Sequence, residues 1–270
     1  MQKLTTQTFS LFHQVAVEVK LFWRRRQAVY LTFFVPMLGM ALLVYLSQEG
    51  MLEGFFGLLI RGLGGGREGS SVASPMAFLT VGLITYCVIT AAFESLTPGL
   101  VRQREEGILK RLGGTPLRRW VFLAAKTLSA SVLVLTEVSL VFAMGLVSSE
   151  VTVVGSWWLL GAILLLGTFT FAALGFVLSS LTASTDAAIV AVHAVYIPML
   201  LLCGAVIPVE ALPKALQVVA RALPLTYLVG PFRSVMTEGA NLAAIGGDLA
   251  ILLAWMVGGW IVAVKTFRWE

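Results

Sequence analysis

"LTPGLVRQREEGILKRLGGTPLRRW", residues 96–120, sets eight ionisable side chains between two apolar runs, 76–96 before it and 120–147 after it. Each run has the roughly 20 residues that cross a hydrocarbon core about 30 Å thick, so the charged stretch reads as a loop joining two membrane spans. Working outward, four further runs have the same character: 28–47, 157–181, 187–208 and 242–264. Composition agrees with this reading: 58% of the 270 residues are hydrophobic and 12% are charged, against about 25% charged in soluble domains. The expected fold is an all-α integral membrane protein, a single transmembrane domain over 1–270 with six spans.

The distribution of Lys and Arg orients the chain. Five precede the first span, two follow it, seven lie between the second and third spans, three lie before the last span and two end the chain. With six spans, one side collects 14 basic residues and the other five. The positive-inside rule then places both termini and the 96–120 loop in the cytoplasm of a cell bounded by this inner membrane. Phe9, Phe12, Ala16, Val19 and Trp23 recur at helical spacing before Arg24, Arg25 and Arg26. That pattern predicts an amphipathic interfacial helix over 1–27 instead of a cleavable signal.

The outer connections differ. Residues 62–71, "GLGGGREGSS", read as a flexible linker, since no GK[ST] follows the glycines. Residues 209–240 predict two short helices broken at Pro224, a hairpin that either re-enters the outer leaflet or caps it. Cys87 and Cys203 both fall inside predicted spans, which argues against a disulfide framework. A P-loop is missing, as are HExxH and any histidine at metal-ligand spacing. No nucleotide, metal or cofactor site is therefore expected in this chain, and its basic charge is explained by the membrane without nucleic acid.

Ionisable residues within spans are costly and are candidates for function. Glu137 falls near the middle of the third span, and Lys126, eleven residues earlier, shares its helical face. The pair reads either as a polar patch on a translocation path or subunit interface, or as internally satisfied polar groups. Asp248 is read the same way, with the alternative that it sits at the start of the sixth helix, where the dipole favours a carboxylate. Glu94 is placed near the cytoplasmic boundary, and His193 near a proline kink at Pro198.

Within 96–120 the pairs Thr97-Pro98 and Thr115-Pro116 both look like helix starts. Gly107 and the Gly113-Gly114 pair can interrupt or turn the chain between them. A loop serving topology alone needs only basic residues. The acidic pair Glu105 and Glu106 suggests a docking surface in addition, with Arg104 beside it and Val101, Ile108 and Leu112 on one stripe if the helix continues through Gly107.

"RQREEGILKRLGGTPLRRWVFLAAK", 102–126, resembles the segment between the second and third spans of type 2 ABC transporter permeases. The matching residues are Arg104, Glu105, Gly107, Leu109, Leu112, Thr115, Pro116 and Lys126. "LLCGAVIPVEALPKALQVVARALPLTYLVGPFR", 201–233, is similar to the same family's pattern before the last span, and "KTFRWE" to its basic-aromatic end. The resemblance implies a permease subunit of an exporter for a lipophilic drug, lipid or glycan-type substrate. It also implies a second permease copy, identical or related, and separate ABC ATPase subunits that hold ATP and Mg. Residues 97–119 would be the coupling segment, with Arg104, Glu105, Glu106, Gly107, Leu109 and Leu112 as its ATPase-coupling residues. The rival reading is an ion-coupled secondary transporter using Glu137, Asp248 or His193, and a membrane-embedded enzyme is a third.

Overall fold

The computed structural model describes residues 14–24, 26–62, 74–114, 119–148 and 151–267, and among these every regular element is helical. Helix α1 covers 14–24 and is followed by α2, Arg26–Gln48, and α3, Met51–Gly62. The chain bends by 95° between α2 and α3 at Gly50, whose φ of 68° lies in the left-handed region that glycine enters without a Cβ penalty. Helix α4, Pro75–Ile89, starts where Ser74 Oγ accepts from the Ala77 N–H at 3.2 Å and Pro75 takes the first turn, a combination that leaves few orphan donors.

A π-helical turn, Thr90–Glu94, joins α4 to α5, Leu96–Glu105. Thr97 does not open a new helix there. Its Oγ1 donates to the Phe93 carbonyl at 2.7 Å and lies 3.3 Å from the Gly175 carbonyl, so the chain runs on through Pro98. The π turn lies just before that proline, which has no N–H to give to the preceding turn. Gly107, with φ 69°, then separates α5 from α6, Ile108–Gly113. Thr115 and Pro116, the second expected start, lie outside the described residues, as do Phe9, Phe12, the 63–73 linker and the last three residues.

Three long helices follow: α7, Arg119–Val147, α8, Trp157–Leu181, and α9, Thr185–Leu202. Helix α9 ends six residues before the expected boundary at 208. Gly204 turns the chain there with φ 84°. Helices α10, Lys214–Ala222, and α11, Thr226–Glu238, meet at 92° around Pro224, as the sequence pattern predicts. Helix α12, Leu242–Thr266, is capped by Asn241.

Among the described residues, five helical stretches are long and apolar enough to cross a membrane, and up to seven if each bent pair counts as one. Of the most apolar 18 residues in Pro75–Glu105, 78% are buried, against 17% in α9 and in the corresponding part of α12. The bundle is therefore built around α4, with α9 and α12 on its outside. Phe171, Ile84, Val88, Val134 and Phe232 fill the main core, while Leu100, Leu109, Phe122, Phe176 and Phe267 form a smaller one beside α5 and α6. Helix α11 buries Leu228, Phe232 and Met236 in the bundle, while α10 leaves Val218 71% exposed. The two arms of the hairpin thus have different environments.

Candidate coupling site and polar seam

The stretch from Pro75 to Glu105 holds 31 residues, about 46 Å at roughly 1.5 Å each. That exceeds a hydrocarbon core of about 30 Å. The last turns of α5, which carry its charged residues, pack against the turn between α8 and α9. The Arg104 guanidinium donates to the Ser179 carbonyl at 3.1 Å and to the Thr182 carbonyl, and reaches the Ala183 carbonyl at 3.5 Å. These groups end α8 and begin the turn, where carbonyls lack helical donors.

Glu105 completes the grip from the other side of the turn. Its carboxylate accepts from the Thr185 N–H at 3.1 Å and the Thr185 Oγ1 at 2.5 Å. Those bonds hold the Glu105 carboxyl below the usual carboxylate range, because both stabilise its charged form. Arg104 and Glu105 therefore fasten α5 to the end of α8 and the first residue of α9. Sequence reading gave these residues to a partner. The structure shows them engaged within the chain.

Glu106 faces outward and pairs with Arg102 at 2.8 Å across one helical turn. Gly107 supplies the left-handed break that lets α6 fold back. Leu109 is 2% exposed in the smaller core, and Leu112 packs at its edge. The stripe expected from an unbroken helix is consequently not formed, since Gly107 rotates α6: Ile108 is exposed while Leu109 is buried. The surface that remains open carries Arg102, Glu106, Ile108, Lys110 and Arg111.

The structure does not bring Lys126, Glu137 and Asp248 together. Lys126 Nζ lies 2.7 Å from Glu18 of α1, with both side chains mostly covered, which ties the N-terminal helix to α7. Glu137 is 2% exposed against Cys87 of α4, whose thiol offers its carboxylate only a weak donor. Asp248 is exposed on the second turn of α12, beside Gly230 of α11. The helix start that was to explain it lies at Leu242, capped by Asn241.

Two features escaped the sequence reading. Helix α4 and its π turn are buried on every side except one stripe: Leu79, Leu83, Tyr86, Thr90 and Glu94. The spacing of these residues is legible in sequence, but only packing shows that theirs is the open side. His193 of α9 faces the polar end of this seam, with Nε2 3.5 Å from Glu94 Oε1. At the opposite end of α9, Arg233 of α11 stacks 3.7 Å from the Phe78 ring centroid and donates to the Gly204 carbonyl at 2.5 Å. It thereby fixes the turn that ends α9. The cation–π contact compensates in part for covering a charge.

With the fold and these contacts in place, comparison with known proteins settles the family. The family model described as ABC-2 type transporter matches residues 10–237. The chain belongs to this family. Among curated relatives, the probable multidrug ABC transporter permease YbhR of Escherichia coli K12 is 25% identical over 169 residues, 63% of this chain and 46% of that protein. Nodulation protein J of Bradyrhizobium diazoefficiens is 34% identical over 206 residues, covering 72% and 74%. Nodulation protein J of Rhizobium leguminosarum bv. viciae is 29% identical over 199 residues, covering 72% and 75%. The chain thus spans about half the length of the YbhR-type relative and about three quarters of the nodulation proteins. It is a multi-pass membrane protein of the ABC-2 type.

Proposed function

We propose that this ABC-2 type protein is the permease subunit of an ATP-driven exporter in the cytoplasmic membrane. Two permease copies, identical or related, would work with separate ABC ATPase subunits carrying ATP and Mg. In this reading α2, α4, α7, α8, α9 and α12 are the six spans, the termini are cytoplasmic, and α10–α11 is an outer hairpin. The cargo is a lipophilic drug, lipid or glycan-type molecule moved by alternating access.

The observation that carries the proposal is the fastening of α5 to the α8–α9 turn by Arg104 and Glu105. A permease without a nucleotide site needs a surface that receives work and a connection that passes it on. The exposed Arg102, Glu106, Ile108, Lys110 and Arg111 offer the first. Arg104 and Glu105 provide the second, since displacement of α5 must displace the start of α9. Because α9 is little buried, it can shift at low packing cost. Gly107, Leu109 and Leu112 support the surface from beneath. A ligand-driven ATPase closure changes the state of the permease only if the two states dock differently, and a rigid handle meets that condition.

The test pairs two variants in membranes containing the cognate ATPase. Lys110→Glu combined with Arg111→Glu should weaken ATPase association. Glu105→Ala should leave association intact while uncoupling ATP hydrolysis from transport. Normal transport by both variants would remove the handle from the mechanism.

A further inference from the structure

We propose that Glu94 and His193 form a binding site for one proton, and that this proton ties α9 to the π turn of α4. The site rests on the side chains of this chain alone and is independent of how the ATPase couples.

The geometry fixes the tautomer. His193 Nδ1 lies 2.7 Å from the Ile189 carbonyl. A carbonyl oxygen cannot donate, so at that distance Nδ1 carries the hydrogen. In the neutral ring Nε2 is then a bare lone pair, and it faces Glu94 Oε1 at 3.5 Å. Two lone pairs at that separation repel unless one additional proton is held between them, as imidazolium beside carboxylate or as carboxylic acid beside imidazole. Either arrangement attracts, and both contain the same single proton. The pair therefore shares that proton.

On the elements packed against α9 and the π turn, the described charged groups are few; α10, which packs on α9, carries Lys214 and Arg221 towards its two ends. Tyr86 of α4 lies on the same open stripe as Glu94, and the Tyr196 ring of α9 lies 5.3 Å from the His193 ring. Helix α8 carries no ionisable side chain. On α7, Glu137 lies on the Cys87 side of α4 and Lys126 is paired with Glu18. On α5, Arg102 is paired with Glu106, while Arg104 and Glu105 grip the α8–α9 turn. Asp186 sits two turns before His193, at the start of α9. Glu94 and His193 are 30% and 41% exposed, so a proton can reach the pair from the open seam.

Loss of the proton converts an attraction between α4 and α9 into a repulsion. The site lies at the π turn, where the backbone departs from the α-helical ladder, a feature that often marks functional positions. Protonation would hold α9 against the seam, and deprotonation would release it.

The experiment is nitrogen-15 NMR of histidine-labelled protein in phosphatidylcholine nanodiscs, with His13→Gln leaving His193 as the sole imidazole. Nδ1 should remain protonated across the titration, with Nε2 gaining and losing either the proton or a hydrogen bond from it. Glu94→Gln should change the pH range over which the Nε2 signal responds. A neutral ring carrying its hydrogen on Nε2 would overturn the proposal. So would an unchanged titration in Glu94→Gln. Should that variant fail to fold, the tautomer in the parent protein still decides the matter.

Discussion

At the residue scale, burial and hydrogen bonding give several of these side chains work inside the chain. Glu137 is covered with only the weak Cys87 thiol donor beside its carboxylate among the described residues, and an under-satisfied buried polar group costs about 1–3 kcal/mol. Glu137→Leu is therefore expected to stabilise the chain in detergent, with Glu137→Gln near neutral. A fall in the thermal midpoint of Glu137→Leu would instead show that the carboxyl has a partner in the assembled transporter. Leu109 is buried among Leu100, Phe122 and Phe267, so Leu109→Ala should cost about 2–5 kcal/mol through the cavity it leaves. Chemical unfolding would register that loss with no ATPase present, which separates a packing role from a docking role. Glu105 titrates below its ordinary range because it accepts two bonds from Thr185. Its contribution is fully present above the unfolded value of about 4.3 and fades as pH falls through the lowered one. Hydrogen exchange at the Thr185 amide should accordingly be slow at neutral pH, and faster in Glu105→Ala.

At the element scale, the passage from α4 through α5 to α6 decides how the cytoplasmic end is built. The π turn and Pro98 keep α4 and α5 on one path, so the charged end of α5 is carried by the most buried stretch of the bundle. A push on α5 is consequently felt in the core. Gly107 then turns α6 back with φ 69°, which lays Leu109 on the smaller core. Gly107→Ala should destabilise by roughly 1–2 kcal/mol, since a Cβ is disfavoured in that conformation. Its signature would be a loss of α6 protection while the spans stay folded. Helix α9 is the counterpart of α4. It is held at one end by Arg104 and Glu105 on its preceding turn, at the other by the Arg233 bond to Gly204, and loosely between.

At the scale of the whole molecule, the proposed topology places α6 and α10 on opposite sides of the membrane. With Cys87 and Cys203 replaced, Lys110→Cys should react with an impermeant maleimide only in inverted vesicles, and Val218→Cys only in intact cells. Labelling of both from one side would dismiss the six-span arrangement. The long apolar runs were legible in the sequence because crossing a hydrocarbon core demands both length and apolarity, and the helices over 119–147, 157–181 and 242–266 fall within two residues of the expected limits. The early end of α9 was not legible, since residues 203–208 remain apolar and Gly204 alone does not announce a turn.

The sequence by itself determined that this is a helical membrane protein, which stretches carry charge, and which family it joins, because those properties are local or rest on residue identity. Tertiary structure decided where Arg104 and Glu105 reach, which leucine of α6 is covered, that Lys126 answers Glu18 and not Glu137, and which side of α4 stays open. Each depends on the rotation of one helix against another. That rotation is set by the sum of all packing contacts, and no single segment encodes it.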